Sequence, residues 1–75
     1  MTDVVEVIDV RGLPPPEPME RTLAMLDRLP PGGCLLQINE RVPVFLLEFL
    51  DERGDSYEVA EDARGILVTI RRAGI

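Results

Sequence analysis

Three consecutive prolines, Pro14 to Pro16, constrain the fold of this chain more than any other feature. Each proline pushes the residue before it towards extended backbone geometry, so this run cannot be helical. The β-branched run Val4 to Val10 precedes it, has no helical period and predicts a first strand. Pro18 follows and suits the first turn of a helix, where a missing N–H costs nothing. The prolines therefore predict a rigid connection from a strand to a helix.

An amphipathic helix is predicted after this connection. Apolar residues recur at steps of three and four, which is the spacing of one helical stripe. These residues are Met19, Leu23, Leu26 and Leu29. The predicted helix therefore runs from Pro18 to Leu29, and the Pro-Pro-Gly-Gly segment of residues 30–33 ends it.

A second strand is predicted from Cys34 to Asn39, and a second helix follows it. Alternation along the strand places Cys34, Leu36 and Ile38 on one face and Leu35, Gln37 and Asn39 on the other. After the loop of residues 40–42, Pro43 begins a helix that extends to about Glu52. Gly54 is a candidate for its left-handed cap.

A β-hairpin is predicted for the rest of the chain. Its strands are Ser56 to Ala60 and Ile66 to Arg72, joined by a loop of about five residues, 61–65. The element order is then β-α-β-α-β-β, and the first two strands should be parallel because a helix separates them. The predicted fold class is α+β. A single domain, residues 1–75, forms a two-layer sandwich with both helices on one face of a four-stranded mixed sheet.

The charge of the chain limits its partners and its location. A formal net charge of −6 on 75 residues repels phosphate backbones, which argues against a nucleic-acid partner. No apolar stretch approaches the roughly 20 residues needed to cross a bilayer, and the N-terminal residues lack the pattern of a signal peptide. We therefore expect a cytoplasmic protein that does not bind membranes.

The reactive side chains are few. The chain has no histidine and one cysteine, so no Ser/His or Cys/His nucleophile pair and no internal disulfide can form. The acidic run of residues 51–55 lacks the regular spacing of a calcium loop. We expect a protein that is not an enzyme and that uses no cofactor and no metal.

The connection between the first strand and the first helix resembles a known family. The segment Asp9-Val-Arg-Gly-Leu13, followed by Pro16-Glu17-Pro18, is similar to the signature of the TusA/SirA-like sulfur carriers. In that family a strand ends in Asp-x-x-Gly-Leu, and a Cys-Pro-x-Pro motif begins the first helix. The resemblance covers essentially the whole chain and implies the same two-layer sandwich.

The resemblance also implies what this chain lacks. In the family, the cysteine of the motif carries a persulfide, and the adjacent helix N-terminus favours its thiolate. Pro15 occupies that position here, so the sulfur chemistry does not carry over at this site. The run Arg-Gly-Leu-Pro-Pro-Pro-Glu-Pro is closer to an uncharacterised branch of the family.

Cys34 is the one thiol that could still carry sulfur or act in thiol redox chemistry. Against this, it shares a strand face with Leu36 and Ile38, and a free cysteine commonly packs as a small apolar residue. We favour the packing interpretation and keep a sulfur-relay function through Cys34 as an alternative.

The loop before the first helix has two interpretations. A helix N-terminus can hold an anion, and Arg11 could assist; a small-anion or metal site near Arg11 and Glu40 is therefore a second alternative. In the favoured interpretation, Asp9, Arg11 and Glu17 pair with one another or with the backbone and brace the loop.

The second helix has an unusually wide apolar arc. Five residues spread over roughly 200°, wider than a helix on a sheet usually needs: Phe45, Leu46, Leu47, Phe49 and Leu50. Either the core uses all of them, or Phe45 or Leu47 contributes to a contact patch.

The leading functional hypothesis is a protein-interaction or regulatory module on a sulfur-carrier-like scaffold. A protein partner is expected, with the chain itself a monomer or a weak homodimer. The candidate surface comprises Arg11, Pro15, Pro16, Glu17, Glu40, Arg41 and Phe45.

Overall fold

The computed structural model describes residues 5–74 and confirms the predicted element order and fold class. The elements are β1 (Val5–Asp9), α1 (Glu17–Arg28), β2 (Cys34–Asn39), α2 (Val44–Arg53), β3 (Ser56–Asp62) and β4 (Gly65–Arg71). The sheet has the strand order β1-β2-β4-β3; β1 and β2 are parallel, and the other neighbouring pairs are antiparallel. Val4, predicted as the first strand residue, lies outside the described residues.

Both helices pack on one face of the sheet, as predicted. The core between the helices and the sheet consists of residues that are each at most 5% exposed. They are Leu26 of α1, Leu29 just after it, Leu46 and Leu50 of α2, and Leu35, Val68 and Ile70 of the sheet. Leu35 therefore identifies the covered face. Gln37 and Asn39 lie on this same face because side chains alternate along a strand.

The opposite face of the sheet carries Cys34, Leu36 and Ile38. Their register neighbours on β1 include Val5 and Val7, which are 59% and 57% exposed. Cys34 is therefore half-buried on the face away from the helices, and Ile38 on the same face is only 6% exposed. The face under the helices is instead the one with two polar residues, which the hydrogen bonds described below satisfy.

The connection between β3 and β4 differs from the prediction. β3 extends to Asp62 and β4 begins at Gly65, so two residues connect the strands rather than about five. The Asp62 carboxylate accepts a hydrogen bond from the Arg64 backbone N–H at 2.8 Å, which closes the turn. Gly65 has a φ of 128°, and a Cβ at this position would lie 2.5 Å from the Asn39 carbonyl oxygen. Only glycine therefore allows the hairpin to approach the end of β2 so closely.

The helix ends follow the sequence signals to within one residue. α2 begins after Pro43 rather than at it and ends at Arg53. Gly54 is in the left-handed conformation with a φ of 86°, and its N–H donates to the Leu50 carbonyl oxygen at 3.0 Å. The predicted glycine cap is confirmed.

Candidate functional site

A clasp between Asp9 and Arg11 fixes the start of the proline loop. Arg11 Nε donates to Asp9 Oδ1 at 2.9 Å, and Arg11 Nη2 donates to Asp9 Oδ2 at 2.7 Å. Arg11 Nη1 also donates to the Arg64 carbonyl oxygen at 2.9 Å. One guanidinium thus ties the end of β1 to the turn between β3 and β4. Its hydrogen bonds lower the pKa of Asp9 from 3.8 to about 2.

This clasp predicts a specific dependence of stability on pH. A carboxyl group whose pKa is lower in the folded state stabilises the fold above its unfolded pKa, and this contribution disappears as pH falls through the folded value. We expect wild type to be more stable than Asp9→Asn by a constant difference from about pH 8 to about pH 5. The difference should shrink between about pH 4 and about pH 2. Urea unfolding of both proteins at each pH measures it, and an undiminished difference at about pH 2 would contradict the assignment.

The rest of the loop is braced differently from the prediction. Glu17 pairs with Arg21, one turn along α1, at 3.3 Å rather than with Arg11. The Gly12 N–H donates to Glu40 Oε1, so the loop after β2 holds the loop after β1. Asp9 and Arg11 brace the loop as predicted, whereas Glu17 forms an ion pair within α1.

A groove with a cavity volume of about 500 Å³ lies beside these two loops. Pro15 and Pro16 from the loop after β1, and Pro18 from the first turn of α1, line one part of it. The first turn of α2 lines another part with Val44 and Phe45, together with Pro43 just before the helix. Glu40 and Arg41 contribute to the lining from the loop between β2 and α2.

The groove brings together five of the seven residues of the predicted surface. These are Pro15, Pro16, Glu40, Arg41 and Phe45. The other two do not line it. Arg11 turns its guanidinium to Asp9 and to the hairpin turn, and Glu17 faces Arg21. An anion held with the help of Arg11 is therefore not supported by this arrangement.

Buried polar side chains form the base of the groove. Gln37 is 0% exposed; its Nε2 donates to Thr22 Oγ1 at 2.8 Å, and the Thr22 hydroxyl donates to the Pro18 carbonyl oxygen at 2.7 Å. Asn39 Nδ2 donates to Gln37 Oε1 at 3.2 Å, and Asn39 Oδ1 accepts the Glu40 N–H at 2.7 Å. This chain of hydrogen bonds joins β2 to α1 and to the next loop, so the groove has a fixed shape.

The role of these buried polar residues was not predicted from the sequence. Thr22 lies among the apolar residues of the α1 stripe, and Gln37 shares a strand face with Leu35. A polar residue at a core position is a signal for a buried network, because burial without a partner is costly. The sequence carries this signal at Gln37, because Gln37 shares a strand face with Leu35, and this face is the one that the helices cover.

Phe45 is the most exposed large apolar residue at the groove. Phe45 is 79% exposed, whereas Leu46 beside it is 2% exposed and Leu50 is fully buried. Leu47 packs partly against the core. Of the two residues proposed to form a contact patch, the structure leaves Phe45 on the surface and uses Leu47 in packing.

Cys34 is distant from the groove in the topology of the sheet. It begins β2 and pairs with Val5, the first residue of β1, whereas the proline loop follows the last residue of β1. Cys34 is half-buried on the face opposite the helices, beside a small cavity of about 190 Å³. It does not take the place of the residue at the N-terminus of α1.

Within the range 5–74, no group of three or more acidic, cysteine or histidine residues is arranged to hold a metal ion. In the same part of the chain, no helix is both long enough and apolar enough to cross a membrane.

Comparison with known proteins agrees with the fold. A family model described as an uncharacterized conserved protein (DUF2249) matches residues 7–72. The chain belongs to this family. The crystal structure of a SirA-like protein from Desulfitobacterium hafniense has a similar fold, with a TM-score of 0.76. The alignment covers 93% of this chain and 99% of that protein, at 23% sequence identity. No curated protein matches the chain. The DUF2249 match and the SirA-like fold confirm the resemblance inferred from the sequence.

Proposed function

We propose that this DUF2249 member is a non-enzymatic protein-interaction or regulatory module, on a sulfur-carrier-like scaffold that has lost the carrier cysteine. The observation that supports this most is Phe45, 79% exposed at the edge of a cavity of about 500 Å³. Val42 and Val44, which also line the groove, are 44% and 57% exposed, and a contiguous exposed apolar patch is typical of an interaction site. We also propose a cytoplasmic location. A single free cysteine is compatible with the reducing conditions there.

The groove has the properties of a rigid recognition surface. Its size lies within the range of about 300–1,000 Å³ that is usual for binding sites, and most of its lining is apolar with a few polar groups. Prolines restrict the loop before binding, so less conformational entropy is lost when a partner binds. The hydrogen bond from Gly12 to Glu40 and the buried Gln37 hold the lining residues in place.

The position of the ancestral sulfur site supports the loss of carrier function. Pro15 has no atom that can accept a sulfane sulfur, and Cys34 lies at the other end of the sheet on the opposite face. The competing hypothesis, sulfur relay through Cys34, predicts a mass increase of one sulfur atom on this residue after incubation with cysteine and a cysteine desulfurase. Observing that increase would contradict the proposal.

We expect Phe45→Ala to weaken partner binding by about tenfold to a hundredfold, because burying a phenylalanine side chain contributes about 1.5–3 kcal/mol. The partner is first captured with tagged protein from extracts of the source cells and then titrated by calorimetry. Val7→Ala is the matched control, since Val7 is 57% exposed on the opposite face of the sheet. Equal affinities for wild type, Phe45→Ala and Val7→Ala would show that the groove is not the binding surface.

A further inference from the structure

The outer face of α2 carries a regular pattern of aromatic and acidic residues. Phe45, Glu48, Phe49 and Glu52 follow one another at steps of three, one and three, so they form one stripe on the helix. All four are exposed; the two phenylalanines are 79% and 43% exposed. The buried residues Leu46 and Leu50 lie on the other side of the helix. We refer to these four exposed residues as the aromatic–acidic stripe.

The two acids of this stripe, Glu48 and Glu52, are not neutralised by any cation of the described segment. Among residues 5–74, neither Glu48 nor Glu52 takes part in an ion pair. Most arginines of the chain are committed elsewhere. Arg11, Arg21, Arg53 and Arg64 pair with carboxylates, and Arg71 and Arg72 donate to the backbone carbonyls of Gly32 and Leu29.

Charge complementarity determines what can cover this surface. A second copy would bring the stripe against its own carboxylates in a chain of net charge −6, and like charges at an interface are costly. Nucleic acid and anionic lipid are repelled for the same reason. A cationic partner gains charge pairs at Glu48 and Glu52, and an arginine can also stack on the rings of Phe45 and Phe49.

We propose that the aromatic–acidic stripe docks a basic amphipathic segment of a partner protein. The inference rests on the proposed function and specifies the chemistry of its partner, because Phe45 belongs both to the stripe and to the groove. α2 has ten residues, so its face is about 15 Å long and matches a partner segment of about 10–12 residues. The segment carries Lys or Arg towards Glu48 and Glu52, and apolar side chains towards the two phenylalanines.

The test is selection of a displayed library of random peptides, about 12 residues long, on immobilised wild-type protein at about 0.15 M salt. We expect the selected peptides to combine net positive charge with apolar residues. Their affinity should fall about tenfold or more for the double variant Glu48→Lys/Glu52→Lys. The matched control, Glu6→Lys/Glu58→Lys, changes net charge equally at exposed positions outside the stripe and should stay within about twofold of wild type.

Each other outcome overturns a defined part of the argument. Selection of neutral or acidic peptides whose binding requires Phe45 would contradict the basic partner but not the interaction surface. Equal losses of affinity in the two double variants would lead to the same conclusion. Peptides that ignore Phe45→Ala, or a library that yields no binder, would contradict the proposed function as well. A concentration-dependent dimer that Phe45→Ala abolishes in sedimentation would assign the stripe to a second copy instead.

Discussion

Gly65→Ala is expected to lower the free energy of unfolding by about 3 kcal/mol or more, which is a large part of the roughly 4–11 kcal/mol typical for a domain of this size. An alanine Cβ would lie 2.5 Å from the backbone carbonyl oxygen of Asn39, a contact that requires the backbone to shift. The φ of 128° adds strain for any residue with a side chain. The midpoint of thermal unfolding should fall by about 12–24 °C.

Two other glycines separate the steric cost of this substitution from the conformational cost. Gly12 and Gly54 also have positive φ, of 81° and 86°, but a Cβ there would meet nothing within 4 Å. Gly12→Ala and Gly54→Ala should therefore each cost only about 1 kcal/mol. Urea unfolding followed by circular dichroism compares the three variants. If Gly65→Ala cost no more than the other two, the close approach of the hairpin to β2 would be wrong.

The elements of this fold were predictable where local signals and burial agree. The stripe from Met19 to Leu29 and the glycine cap at Gly54 are read directly from sequence, because helix periodicity and cap chemistry act over a few residues. The hairpin turn was not predictable to the same degree. Glu61 and Asp62 are charged and resemble loop residues, yet both belong to β3 because this edge strand is exposed to solvent.

The candidate site depends on contacts that sequence spacing does not specify. The resemblance to the sulfur carriers predicts a surface at Pro15 and Pro16, and the wide apolar arc of α2 predicts a contact at Phe45. Their meeting in one groove requires the loops after β1 and β2 to lie side by side, which follows from parallel pairing of these strands. The prediction that Glu17 braces the loop was wrong, because Arg21, one turn along the helix, pairs with the Glu17 carboxylate.

Leu50→Ala is expected to lower the free energy of unfolding by about 3 kcal/mol, within the usual range of roughly 2–5 for such substitutions in a core. Leu50 is fully buried on α2, and its removal leaves a cavity between the helix and the sheet. Phe45→Ala on the same helix should change stability by less than about 0.5 kcal/mol, because Phe45 is 79% exposed.

Comparing the two α2 variants by urea unfolding tests whether the wide apolar arc of this helix serves two purposes. A core role for Leu50 and a binding role for Phe45 require stability to fall in the first variant and partner affinity to fall in the second. If Phe45→Ala destabilised the fold as much as Leu50→Ala, the ring of Phe45 would be part of the core. A partner on this surface would then no longer be supported, because the exposed ring is what distinguishes this groove from an ordinary surface depression.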